Sequence, residues 1–135
     1  MEATTTSVKN VLGTTFFSSE YNETNHWLYT RWVGEVTVEE VKEGGETMLE
    51  QVQLRSCSKV LNDNRDLTGS WDEANDWIQE SWMPRMVAAG VTKFAHMISP
   101  DIFAALSVEE MATRVSGFEM RIFEDEEEAK AWLKS

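Results

Sequence analysis

From the second strand of an aromatic hairpin near its start, the chain repeats one pattern four times. A short apolar or alternating run is followed by a helix-start signal and then by apolar residues at helical spacing. Few folds accommodate that pattern. Neighbouring parallel strands need long crossovers, and helices supply them in the right-handed sense. The predicted order is ββαβαβαβα. It describes an α/β fold: a mixed, largely parallel five-stranded sheet with an N-terminal hairpin and about four helices.

The elements are read from local chemistry. Phe16 and Phe17 mark a first strand over 14–21, and Tyr21 to His26 is turn chemistry. His26 to Gly34 alternates, with Trp27, Tyr29, Arg31 and Val33 on one side and Leu28, Thr30 and Trp32 on the other. Thr37-Val38-Glu39-Glu40 is a capping box, and Val38, Val41, Met48, Leu49 and Val52 carry its helix to about Arg55. Gly44-Gly45, costing ~1 kcal/mol per glycine, reads as a tolerated weak spot ahead of a second reading, close packing against a neighbour. A buried strand from Cys57 feeds a loop that ends at Gly69. Ser70-Trp71-Asp72-Glu73 forms a second capping box, and Ala74, Trp77, Ile78, Trp82 and Met86 continue as a stripe that Pro84 kinks or breaks. Val91 to Ser99 is the next strand, with Pro100 at the first position of the following helix and a further box at Ser107–Glu110 that splits it. Phe118 to Phe123 alternates as an edge strand, and Asp125 caps a last helix with Ala129, Trp132 and Leu133 inside. Residues 1–13 read as a flexible arm and 14–135 as one domain.

Charge narrows the partners. Twelve Lys and Arg face 24 Asp and Glu, a net charge of −12 with no basic cluster. Nucleic acid and anionic membrane surfaces are excluded on that balance. No apolar stretch approaches the roughly 20 residues of a spanning helix, so no membrane insertion is expected, and residues 1–13 lack the apolar core of a secretory signal. Cys57 is the single cysteine, which leaves no internal disulfide and reads as an inert core thiol. A cytoplasmic setting follows as the expectation.

The informative segment is the polar loop Asn62, Asp63, Asn64, Asp66, Thr68, Gly69, Ser70 and Trp71. It follows a strand C-terminus, where open α/β sheets bind ligands. A ligand- or partner-binding role stands beside a plain reading as an Asx turn and an N-cap. The same residues resemble a calcium loop, but Leu67 occupies the glycine position and Asn62 the leading aspartate, so no metal site is read. His26 and His96 stand in no metal spacing, and His96, in an apolar strand, reads as a hydrogen-bonded structural residue. No catalytic motif, cofactor signature or paired acid and base can be singled out. Trp71, Trp77 and Trp82, with Met86, are open to three readings: core packing, a dimer interface or a pocket for a hydrophobic ligand.

The block Phe118-Glu119-Met120-Arg121-Ile122-Phe123 with Glu124 to Leu133 resembles the ending of SpoIIAA-like domains of the STAS/SEC14 type. The segments Lys59 to Asn64 and Trp82 to Met86 are similar to the bacterial branch of that family, and the resemblance covers roughly 14–134. It implies a mixed sheet with packed helices and no catalysis. It also implies a regulatory or protein-interaction domain, homodimeric or bound to another protein, whose switch is a phosphorylated Ser or Thr before the second helix. Ser70 is the nearest position and Thr68 the second, although Leu67-Thr68-Gly69-Ser70 only loosely matches the family's acceptor pattern. SEC14-type relatives imply an alternative, a lipid or other hydrophobic ligand.

Overall fold

The computed structural model describes residues 5–135. Six strands form one sheet in chain order: β1 Thr5–Lys9, β2 Thr15–Asn22, β3 Trp27–Glu35, β4 Lys59–Thr68, β5 Lys93–Met97 and β6 Glu119–Phe123. β1, β2 and β3 are antiparallel, and β3 to β6 are parallel. The parallel, hairpin-led α/β sheet is the expected one, with a sixth strand added. That strand corrects the reading of residues 1–13 as an arm: Thr5–Lys9 pairs with β2, while residues 1–4 lie outside the described chain. Every second residue of β1 is exposed and its side chains are small or polar, so its pattern carries little apolar signal.

Each parallel strand is joined to the next by a helical crossover. These are α1 Val38–Arg55, the segment Asp72–Ala88, and α4 Ile102–Thr113. Right-handed crossovers that all progress the same way along a sheet fall on one of its faces. Their apolar sides, with Phe17, Leu28, Val60 and Phe94 from the strands, form the larger core. α5 Glu126–Lys134 packs alone on the other face, where Ala129 and Leu133 meet Trp27, Leu61 and Ala95.

The caps at Thr37 and Asp125 form as read, the first as a full capping box. Two others do not. Ser70 Oγ accepts from the Asp72 amide at 3.3 Å, but no reciprocal Glu73 bond closes the box, and only a 3₁₀ turn, Asp72–Ala74, follows. Ser107 lies inside an unbroken α4, whose cap is Asp101, so Pro100 precedes the helix rather than opening it. The second crossover is also not one kinked helix. After the 3₁₀ turn come a single α turn, α2 Asn75–Trp77, a π-helical turn Ile78–Trp82, and α3 Met83–Ala88. Pro84 has no N–H to offer the preceding turn, and the wider π spacing just before it absorbs the defect.

Gly44 and Gly45 are places of close packing, the second of their two readings, and not a weak spot. A Cβ on Gly44 would lie 2.4 Å from the Trp32 ring, and one on Gly45 would lie 3.0 Å from Trp77. The Trp32 ring cannot swing away freely, because its Nε1–H donates to Asn62 Oδ1 at 3.0 Å. Gly44→Ala therefore lowers stability by about 1–2 kcal/mol, since overpacking outweighs the helix-propensity gain of ~1 kcal/mol. Urea unfolding shows this as a lower midpoint at unchanged slope.

Candidate functional site

Of the residues expected to form the loop Asn62–Trp71, those at 62–68 make up most of β4 instead. The polar run hides a strand because both faces of β4 receive polar partners and because its alternation breaks. Arg31 of β3 pairs with Asp63, but Val33 pairs with Asp66, so β4 carries an extra residue there. This bulge turns Leu67 onto the same face as Val60, the face of the larger core, and leaves Asp66 beside Arg31 at 2.7 Å. Bulges re-aim side chains in this way, often beside functional sites.

On the crossover face, Asn62 is the hub of a buried polar cluster. Its Oδ1 accepts from Thr30 Oγ1 at 2.7 Å and Trp32 Nε1 at 3.0 Å. Its Nδ2 lies 3.1 Å from both Asn64 Oδ1 and His96 Nδ1. Indole N–H is a donor only, which fixes which end of the Asn62 amide is oxygen. Nδ2 must then donate to His96 Nδ1, so the imidazole carries its proton on Nε2. Burial keeps that ring neutral, pushing its pKa down to about 3.

Beside the cluster lies a cavity of about 50 Å³ between β3, β4 and β5 and the crossover helices. Trp32, Trp71, Trp77, Trp82 and Phe94 supply its aromatic walls, and Asn62, Asn64 and His96 its polar part. Trp82 Nε1 is satisfied by the Gly45 carbonyl at 3.1 Å. Trp71 Nε1 and His96 Nε2 are buried without a hydrogen-bond partner. Leaving a buried donor unmade costs about 1–3 kcal/mol.

On the α5 face, Asp63 is 3% exposed and fully engaged. Tyr29 Oη donates to Oδ2 at 2.6 Å, and Arg65 donates from Nε at 3.0 Å and Nη2 at 2.9 Å. Burial alone would raise the Asp63 pKa, but the Arg65 and Tyr29 bonds outweigh it and hold the carboxyl below its usual value. Arg65 Nη2 also reaches Glu126 Oε1 at 2.8 Å, tying β4 to α5. This arrangement is a closed ion network with each oxygen of Asp63 occupied.

At the C-terminal end of β4, the turn Gly69–Trp71 is stitched to α4. The Gly69 amide donates to Asp101 Oδ1 at 3.2 Å, and the Trp71 amide to Ser107 Oγ at 3.0 Å. Ser70 is exposed, with its Oγ 3.3 Å from Ser107 Oγ. Ser107 in turn donates to the Phe103 carbonyl at 3.1 Å. Gly69 takes φ +77° against the Glu35 side chain, which a Cβ would meet at 2.9 Å.

The expected site residues thus divide among three places. Asn62, Asn64, Trp71, Trp77 and Trp82 line the cavity. Asp63 and Asp66 face the other way, and Thr68, Gly69 and Ser70 close the strand and its turn. Met86 is fully buried in the core and does not line the cavity. Sequence reading missed Trp32 and Thr30, whose alternation on β3 placed them on the same side as Leu28 and so carried a usable signal. It also missed Ile102, Phe103 and Leu106, which remain exposed on α4 at 65%, 60% and 51%. Cys57 is buried, and desolvation pushes its thiol pKa up. Among the described residues no group of three or more His, Cys, Asp or Glu could hold a metal ion, and no helix is long and apolar enough to cross a membrane.

Two comparisons bear on this arrangement. A family model described as SpoIIAA-like matches residues 27–134, from the first residue of β3 to the last of α5. No curated protein matches the sequence.

The neutral His96 gives stability a pH signature. Below about pH 6.5 the unfolded chain takes up a proton that the folded ring refuses, so stability falls as pH drops toward about 3. Asp63, held low, adds to the loss only below its unfolded value near 4. Urea titrations at stepped pH should show a slope between pH 6.5 and 5 in the native protein that is flattened in His96→Gln.

Proposed function

The chain belongs to the SpoIIAA-like family, and from that premise we propose that it works as a non-catalytic regulatory domain of the STAS type, acting by binding protein in the cytoplasm. The observation that carries this reading is the outer face of α4. Its inner face, Ala104, Ser107, Val108 and Met111, is buried. Ile102, Phe103 and Leu106 are the outward counterparts at i, i+1 and i+4, and together make one apolar patch. A helix apolar on both sides suits burial on both sides, and contiguous exposed apolar groups mark interaction surfaces. The occupant is a second copy of the chain, giving a homodimer, or a different protein.

The Gly69–Trp71 turn is the element suited to regulate that surface. It adjoins α4 through Asp101 and Ser107, and Ser70 is exposed within it beside Ser107. Thr68, exposed at the end of β4, is the second position. Phosphate on Ser70 would replace the contact with Ser107 by about −1.5 to −2 charge beside Asp72 and Glu73. Repulsion in an already acidic setting would loosen the turn from α4.

In-cell crosslinking followed by mass spectrometry tests both parts. Native protein is expected to crosslink through α4 to a second copy or to one defined protein. Leu106→Asp should lose those crosslinks at an unchanged unfolding midpoint. Equal crosslinking by native protein and Leu106→Asp would remove α4 as the binding face. For the switch, Ser70→Asp should weaken the same crosslinks and Ser70→Ala should keep them; equal behaviour of the two rejects it.

A further inference from the structure

The cavity under the sheet has a property that protein binding at α4 leaves unused: its two unpaired polar atoms are both donors. His96 Nε2 must carry the proton, because Trp32 orients the Asn62 amide and Asn62 Nδ2 occupies His96 Nδ1. Trp71 Nε1 is an indole N–H and can only donate. Both are buried and both residues line the cavity. Folded proteins seldom leave such groups unmade, and each instance asks for a partner. The matching partner is an oxygen acceptor.

The rest of the lining settles the remaining chemistry. Trp32, Trp77, Trp82 and Phe94 offer flat apolar surface, and among the described residues no Lys, Arg, Asp or Glu lines the cavity. A carboxylate or phosphate would enter without a counter-charge, which burial penalises heavily. A cation is disfavoured for the opposite reason, since two N–H groups present positive ends. Size excludes an acyl lipid: about 50 Å³ is room for a few water-sized groups, against roughly 300–1,000 Å³ for drug-sized ligands. Trp77 is the one lining residue that is not fully buried, and it adjoins the π-helical turn Ile78–Trp82. Such turns occur often at functional sites. It marks the side from which a ligand would enter.

We propose that this cavity binds a small, neutral, flat compound bearing a carbonyl-type oxygen, with Trp71 Nε1–H and His96 Nε2–H as its donors and the tryptophan rings as its walls. The compound is a ketone, amide or ester no larger than a five-membered ring. The site is independent of the α4 patch and does not rest on the reading of that surface.

The test uses isosteric pairs on the full chain labelled with nitrogen-15. Cyclopentanone is compared with methylenecyclopentane, and acetone with isobutene; each second member replaces C=O by C=CH₂. Titration is followed at the Trp71 indole N–H and the His96 ring nitrogens. The carbonyl member should bind saturably, shift both signals, and outbind its isostere by at least about tenfold, the equivalent of about 1.4 kcal/mol. Trp71→Phe keeps an aromatic wall and removes the donor, and should reduce that preference. Equal binding of the two members overturns the donor assignment, whether or not the variant folds. Absence of saturable binding by either carbonyl compound, with both N–H groups bonded to water alone, overturns the site. Tighter binding of benzoate or tetramethylammonium overturns the neutral-ligand assignment.

Discussion

Asn62 holds the middle of this protein together. It stands on β4, between β3 and β5, and its amide makes contacts to Thr30, Trp32, Asn64 and His96. A hydrophobic residue there could fill space, but it could not orient anything. The amide has a polarity, and Trp32 reads it: only the oxygen end suits an indole donor. From that one choice follow the proton position on His96 and the fixed plane of the Trp32 ring. Trp32 packed in that plane leaves α1 no room for a Cβ at Gly44. Removing one member of such a network strands buried partners, so its cost exceeds that of any single bond.

The sheet keeps two kinds of polar chemistry apart. On the crossover face the polar groups lining the cavity are neutral, and two of their donors remain open. On the α5 face the groups are charged, and Asp63, Arg65, Tyr29 and Glu126 satisfy one another. The second arrangement is structural cement between β4 and α5. The first is an incomplete constellation. Adjacent residues of one strand take these opposite roles, and the pleat separates them. Trp71 belongs to both the open cavity and the periphery: its indole lines the cavity while its amide is bonded to Ser107 on α4.

Most of the fold was legible because its signals are local. Thr37 and Glu40 announce α1, Asp125 announces α5, and the apolar runs around Val60 and Phe94 announce central strands. The family-like C-terminal block was legible for the same reason. What escaped reading depends on distant partners. Asn62 to Thr68 looks like a loop until Trp32, His96, Tyr29 and Arg31 are known to lie beside it. Gly44-Gly45 looks like a defect until Trp32, Trp77 and Trp82 are set against it. The Ser70 and Ser107 boxes have the right letters, but Ser107 instead accepts the Trp71 amide from inside a helix. β1 escaped because an edge strand of small polar residues has no apolar period, and it also lies before the stretch that the family model matches. Of the candidate site, the tryptophans were visible as residues, but their enclosing a cavity with His96 was not.

The order of the strands has a consequence for how the chain reaches this state. Every strand lies next to the strand that precedes it in sequence, from β1 to β6. No strand must wait for a distant segment before it can pair. Each step closes only a turn or one helical crossover, so the entropy of loop closure stays low for a sheet that is mostly parallel. Growth can run in one direction, from the N-terminal hairpin outward, as the chain emerges during synthesis. Under that sequence of events the growing edge is always the newest strand, and the last one laid down, β6, is short and carries Glu119 and Arg121 exposed. Charge at a terminal edge discourages a further strand from adding, so the same arrangement that lets the sheet extend also tells it where to stop.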